Sequence, residues 1–448
     1  MSHRIRLAII GGGLAGASCA NALAHHQHLD IHVFESAHVM SERGAAVALA
    51  VNSQRALQQA LSTRCAGMME TVMRRAQAVP MRSTRNMLAY GPEAGAVVLD
   101  MSKENQSLIV HRGSLLRELL APLPKEALHV NKKVASIKSM ETSFPASPNG
   151  SGNGGGVEIT FEDGTVDRFD GVIGADGVFS VVRKFVLRNH DWSSVGPSPS
   201  GFWDARRLVP YERARAVLGE AYLSGENERQ YSWVGHGAFL LHDVLDNGTL
   251  VQCIMSGVGQ EIPADRRVVL TRERLMTHEL KGWLEGPIAR KMIDVTGALM
   301  PQQLLLLDET EIVGYYNLEH KYTPSYANGC VCIVGDAAHA MTPWQGAGVG
   351  QAFEDAAVLG GLLSQVSNRE DIQTAFRAFD AVRRPRCQRV IDSSRETGMI
   401  KCGLSSEVGM NAQEMREGLD GRWDFIIRLD LERHVEDAIG KYRQFQGH

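Results

Sequence analysis

The hydrophobic pattern begins almost at once. Residues 7–10, Leu-Ala-Ile-Ile, form a short unbroken apolar run of the kind that a strand buried on both faces shows. A glycine-rich hexapeptide, 11–16, follows. Small and apolar side chains then recur at Leu14, Ala15, Ala17, Ala20, Leu23 and Ala24, which predicts a helix. A second apolar run, 31–34, ends on Glu35. Further on, 133–140 and 157–161 read as strands joined by a Gly/Ser/Pro-rich stretch, 143–156, which makes that stretch a long hairpin loop rather than a domain linker. Residues 157–161, the turn Glu162-Asp163-Gly164 and residues 165–172 predict a hairpin that leads into a strand at 171–174. The pattern then changes. Residues 230–234, 238–242 and 250–256 are strand-like and separated by turn signals such as Asp246-Asn247-Gly248, so 201–257 predicts a mostly antiparallel sheet. Residues 271–285 read as helical, 328–334 as a buried strand, 353–366 and 372–390 as helices, and 391–448 as a polar helical appendage.

Composition narrows the class. A chain of 448 residues is long enough for two or three domains, and its 44% hydrophobic and 22% charged content is that of a globular protein. A net charge of −4 with no basic block gives no reason to expect nucleic acid or an anionic membrane surface. The first residues lack the apolar core of a signal peptide, and no apolar run approaches the ~18–20 residues that span a bilayer. The seven cysteines are odd in number and scattered, which predicts reduced thiols in a cytoplasmic protein and no metal site.

Three strand-to-helix junctions carry the chemistry. In the first, Gly11, Gly13 and Gly16 complete G-x-G-x-x-G, and Glu35 stands nineteen residues beyond Gly16. Gly11 permits the tight turn, Gly13 lets a pyrophosphate approach the backbone, and Gly16 lets helix and strand pack closely. The phosphates face the helix N-terminus, and Glu35 accepts from the hydroxyls of an adenosine ribose, which suits FAD or NAD and disfavours NADP. The second junction is Gly174-Ala-Asp176-Gly177, followed by Ser180 and Arg183. The third runs from strand 331–334 through Gly335-Asp336-Ala-Ala-His339 to Pro343-Trp-Gln-Gly346-Ala-Gly348-Val349-Gly350. A glycine loop opening a helix there offers bare N–H groups to a flavin ring, and Asp336 reaches ribityl hydroxyls.

In this order the three junctions resemble those of the FAD-dependent aromatic hydroxylases of the para-hydroxybenzoate hydroxylase fold. The resemblance covers roughly residues 5–390. It is greatest to the salicylate hydroxylase-like branch, which includes fungal enzymes acting on polyketide phenols. The segments Val110-His-Arg112-Gly-Ser-Leu-Leu, Gln345-Gly-Ala-Gly348, Arg383-Arg-Pro-Arg386 and the tail from Trp423-Asp424 to Lys441-Tyr442 support that branch. The resemblance implies an α/β fold: a Rossmann-type FAD-binding domain, a mostly antiparallel β-sheet substrate domain and a helical C-terminus. The expected division is FAD-binding at 1–85, 106–195 and 306–390, substrate domain at 86–105 and 196–305, and the C-terminal segment at 391–448. It also implies FAD contacts at Arg112, Asp176-Gly177 and Asp336, with NADPH or NADH as a transient cosubstrate and O₂ as oxidant, through a flavin C4a-hydroperoxide. Two departures stand out. The family often has G-A-G where this chain reads Gly44-Ala45-Ala46. Trp344 replaces a histidine that the salicylate enzymes place beside their substrate, which points to a flatter, more apolar pocket for a larger ring.

For the substrate side, Arg206 matches an arginine that fungal relatives use to hold a phenolate. The alternative is a strand arginine paired with Asp204 or Glu212, and Arg207 must face the other way. His242 and Tyr211 are candidate proton acceptors or orienters. Trp233 and Phe239, with Pro343 and Trp344, are candidates for a ring-stacking wall, and His339 is expected to brace its loop. The expected function is hydroxylation of a phenolic small molecule by a monomer or homodimer. Epoxidation or dehydrogenation on the same scaffold, and a non-catalytic FAD-binding sensor, are the alternatives. Intact glycines at all three junctions argue against the sensor.

Overall fold

The computed structural model describes residues 4–41, 46–62, 67–81, 84–101, 107–140, 156–223, 229–245, 248–259, 261–297 and 312–447. The first apolar run becomes the strand Ile5–Ile10 at the middle of a six-stranded sheet. The order is Ala327–Asn328, Val331–Ile333, Gly171–Gly174, Ile5–Ile10, Leu29–Phe34, Leu128–His129, parallel except at the Ala327–Asn328 edge. Helices cover both faces of such a sheet, which is why its central strands are apolar without alternation. The helix Leu14–Leu23 is buried on nearly every side, with Ala22 against Gly360 of the helix Gly348–Leu363. The expected hairpin is present: Val134–Ser139 and Val157–Phe161 pair antiparallel. Most of the loop expected at 143–156, the Gly44-Ala45 pair, Cys65 and the Asp246-Asn247 step lie outside the described residues.

The second large sheet has eight strands in the order Arg267–Leu270, Ile312–Glu319, Ser198–Pro210, Leu250–Val258, Ala238–Leu245, Gln230–Gly235, Thr84–Leu88, Val97–Asp100. All neighbours are antiparallel except Gln230–Gly235 with Thr84–Leu88. Side chains alternate across it. One face packs Trp203, Ala205, Tyr231, Trp233, Leu240, Cys253 and Met255 into an apolar core. The other presents Asp204, Arg206, Gln230, Ser232, Phe239, Leu241, Gln252, Ile254 and Ser256 to a cavity.

Three expected boundaries need correction. The strand Thr84–Leu88 crosses the 85/86 division, and Ile312–Glu319 extends the substrate sheet past 305. The division at 390 cuts a single helix, Ile372–Lys401, of 30 residues. Nor is the tail an appendage: Lys401, Trp423 and Ile427 all line the cavity. The residues expected as one helix at 271–285 form three short helical pieces, Arg272–Arg274, Leu275–Glu279 and Lys281–Trp283. No helix among the described residues is long and apolar enough to cross a membrane.

Candidate active site

A cavity of about 480 Å³ lies between the two sheets. At one end the glycine turn closes under the helix Leu14–Leu23. Gly11 has φ +108°, and a Cβ there would collide with the carbonyl of Ala175; a Cβ on Gly16 would strike the carbonyl of Gly11. Both positions therefore require glycine. Glu35 accepts from the N–H of Gly12 at 2.9 Å and of Ala37 at 2.8 Å, which holds its carboxylate beside the turn. Gly13 and Leu14 line the cavity, and no side chain caps that helix.

A second helix, Gly348–Leu363, also points its N-terminus into the cavity. Gly346, Gly348 and Val349 line it, Gly346 with φ +64°. Again no side chain caps the helix, and no acidic residue occupies its first turn. Two uncapped helix ends facing one space make a strongly anion-seeking site. Arg112, at the start of the helix Arg112–Leu120, adds a cation to the lining. Asp336 is exposed among buried neighbours and lines the same space.

The junction that carries Asp336 is held from beneath by a buried charge network. Asp355 accepts from the N–H of Gly335 at 2.9 Å and meets His339 at 2.7 Å and Arg383 at 2.8 Å. Glu354 receives Arg383 at 2.7 Å and Arg386 at 2.6 Å. Burial alone pushes the Asp355 carboxyl up, but His339 and Arg383 offset it and hold the group below the ordinary carboxylate range. His339 thus braces the loop. It also forms, with Asp355 and Cys387, a cluster of metal-ligating types, whose carboxylate the pairs with His339 and Arg383 already engage. The six described cysteines are buried and free.

Asp176 is turned away from the cavity. Its carboxylate accepts from Ser180 Oγ and from the N–H groups of Val181 at 2.7 Å and Val182 at 3.2 Å, which caps the helix Val181–Val186. Arg183, fully buried, donates to the carbonyls of Ala337 at 3.0 Å and Ala338 at 3.1 Å. This second junction therefore positions the third, and only Gly177 of its pair lines the cavity.

The sheet supplies the opposite wall. Arg206 lines the cavity, while Arg207 on the other face donates to Thr296 O at 2.7 Å. Neither acid considered as a partner for Arg206 takes it: Asp204 accepts from Ser256 at 2.6 Å and Asn317 at 3.0 Å, and Glu212 pairs with Arg215 at 2.8 Å. Phe239 and Trp344 meet edge-to-face at 5.1 Å between centroids, and both line the cavity with Pro343. Gly398 makes room for the Trp344 indole, against which a Cβ would collide.

The comparisons with known proteins bear on all of these residues together. A family model for an FAD binding domain matches 298–394, and one for an NAD(P)-binding Rossmann-like domain matches 9–48. The 6-methylsalicylate 1-monooxygenase of Aspergillus terreus is 33% identical over 98% of this chain and 93% of its own. The chain belongs to the FAD-dependent aromatic monooxygenases. The salicylate hydroxylase of Pseudomonas putida is 29% identical over 97% of this chain and 94% of its own. A solved salicylate hydroxylase–substrate complex shares the fold, with a TM-score of 0.80, 23% identity and 98% of each chain covered.

As a flavin monooxygenase the protein takes FAD as cofactor and NAD(P)H as cosubstrate. Its residues fit FAD: two uncapped helix ends suit the pyrophosphate and the flavin's electron-rich edge, and the Asp336 carboxylate has no hydrogen-bond or ion-pair partner among the described residues. On the substrate side three expectations are corrected, each by strand phase or helix position. Trp233 lies in the apolar core on the far face, edge-to-face with Tyr222 at 5.5 Å. His242 faces that way too, fully buried and stacked on Tyr231 at 5.4 Å, and neither ring nitrogen has a hydrogen-bond partner among the described residues. Burial pulls its pKa down to about 3, so it stays neutral and far from any transferred proton. Tyr211 opens the helix Tyr211–Leu218 and donates to Leu223 O at 3.2 Å, away from the cavity.

Beside His242 stands a residue the sequence reading passed over. Asp243 is buried on the cavity side of the sheet, accepting from Gln230 and Gln252 at 3.2 Å each. Burial raises its pKa to about 6, against the hydrogen bonds from Gln230 and Gln252 and the charge of Arg206. A raised folded-state value means that the native protein holds this proton more tightly than the unfolded chain. Its stabilising contribution is full below the ordinary value of 3.8 and is lost as pH rises through about 6. Asp243→Asn should therefore raise the melting temperature at pH 8, by the equivalent of about 1–3 kcal/mol, and change it little at pH 4. The buried Oε1 of Gln252 has no hydrogen-bond partner among the described residues and can take the new amide N–H after a flip. Thermal melts at the two pH values check this; equal shifts at both would show that Asp243 is not titrating.

Proposed function

We propose that this monooxygenase hydroxylates a phenolic ring, salicylate-like or a larger polyketide phenol, acting in the cytoplasm as a monomer or homodimer. One observation carries the reading: a single cavity joins two uncapped helix N-termini to a wall with a guanidinium, Arg206, that has no ion-pair partner among the described residues, and two crossed aromatic rings. The names of the relatives agree with it, one being a 6-methylsalicylate and another a salicylate enzyme.

Bound FAD, once reduced by NAD(P)H, would activate O₂ and so make one of its oxygen atoms electrophilic, the other leaving as water. The chain's own part is to make the ring a better nucleophile and to keep water out. Arg206 stabilises the phenolate over the phenol, since a cation beside an acidic hydroxyl lowers its pKa. Phe239, Trp344 and Pro343 hold the ring by apolar contact and exclude solvent. The loop that carries Pro343 and Trp344 is strapped to the tail: Gln345 donates to Arg422 O at 3.0 Å, Trp423 to Gln345 O at 3.3 Å, and Ser394 to Thr342 O at 2.7 Å.

Steady-state NAD(P)H oxidation tests the reading. The rate should rise well above background with hydroxylated benzoates, resorcinols or polyketide aldehydes, and product should form with it. A rate indifferent to every such ring would contradict the reading and favour a sensor.

A further inference from the structure

The last residue of the helix Ile372–Lys401 is a lysine in the run Gly398-Met-Ile-Lys401-Cys-Gly403, where every neighbour is apolar or glycine. Lys401 is only 5% exposed, yet it lines the cavity. Its ammonium lies 5.3 Å from the centroid of Phe239 and 5.4 Å from that of Trp423. No carboxylate among the described residues pairs with it; of the acids on the cavity side of the facing sheet, Asp204 is engaged by Ser256 and Asn317, and Asp243 by Gln230 and Gln252. Two ring faces partly compensate a buried ammonium, but they do not replace a counter-ion. Burial draws its pKa down to about 8, as expected of a cation lacking one. A cation without a counter-ion among the described residues, at the edge of a ring-binding cavity, calls for an anion brought in by the ligand.

We infer that Lys401 receives the carboxylate of an aromatic-acid substrate, while Arg206 holds the phenolate of the same ring. The inference rests on the hydroxylase reading and adds a specificity residue to it. Geometry separates the two cations: Arg206 comes from the sheet strand Ser198–Pro210, and Lys401 from the C-terminal helix beyond Phe239. A ring seated against Phe239 and Trp344 then presents one anionic substituent to each element. Lys401 is a recognition residue here, with no part in moving the oxygen.

The test is a flavin difference-spectrum titration of the FAD-loaded protein with two rings that differ only by the carboxylate, 2-hydroxy-6-methylbenzoate and 3-methylphenol. The variant is Lys401→Met, which keeps the apolar stem; Lys401→Gln is the second variant should the first fail to fold. In the variant the Kd for the benzoate should rise about tenfold or more, while that for the phenol stays nearly unchanged. Equal weakening of both rings, or of neither, would overturn the inference and leave Lys401 a packing residue. A wild-type protein that binds neither ring would instead defeat the hydroxylase reading, and the inference with it.

Discussion

Arg206→Ala should keep its bound, yellow FAD and lose about 10- to 100-fold in kcat/KM with an acidic phenol, the scale of one charge-assisted hydrogen bond to an ionised group. Arg206 lines the cavity and no acid among the described residues pairs with it, so its removal breaks no ion pair among them and takes from the fold only the charge that Arg206 exerts on the buried Asp243 carboxyl. What disappears is the cation proposed to stabilise the phenolate. Arg207→Ala removes a donor to Thr296 O on the far face and should cost at most about 1 kcal/mol of stability, with little change in turnover. The pair is informative because adjacent strand residues share local backbone but not a face. Steady-state kinetics with flavin content measured for each variant checks it. A larger loss of turnover in Arg207→Ala would place the substrate on the wrong side of the sheet.

The second large effect separates two neighbouring acids. Asp336→Ala should weaken FAD by about 1–3 kcal/mol, since a cavity-lining carboxylate proposed to take the ribityl hydroxyls is lost, while the apo-protein's melting temperature stays close to wild type. Asp355→Ala should do the reverse of this. Its carboxylate is fully buried and tied to Gly335, His339 and Arg383, so removing it strands His339 in the interior, leaves Arg383 to Glu354 alone and costs about 3–5 kcal/mol. FAD titration of the apo-proteins together with thermal melts distinguishes the two. If Asp336→Ala binds FAD as wild type does, the junction is only a turn.

The legible parts of this chain were those where local sequence dictates local geometry. The unit from Ile5 to Glu35 could be read because a glycine turn, a helix N-terminus and a terminal acid have fixed spacing. For Arg206 and Arg207 the alternation was legible, although the face that looks at the cavity is set by sheet pairing that the chain alone does not display. The strand Ala238–Leu245 hid its phase more fully. Ala-Phe-Leu-Leu is apolar on both faces, so alternation sets Phe239, Leu241 and Asp243 on one side and His242 on the other, but nothing in it shows which side looks into the cavity. The tail was misread for a different reason. Its polar pattern describes exposed helix faces correctly, but Lys401, Trp423 and Ile427 are brought to the cavity by long-range packing. A single lysine between Gly398 and Gly403 in an apolar run was the one available signal.

As a monooxygenase, the protein places one oxygen atom from O₂ on an electron-rich ring at the expense of NAD(P)H. Turnover of a hydroxylated benzoate under ¹⁸O₂, followed by mass spectrometry of the product, tests it most directly. One labelled oxygen atom per ring hydroxylated is the expected result. Label arriving from water instead, or product formed equally well without oxygen, would contradict the account and make the protein a dehydrogenase on a hydroxylase fold.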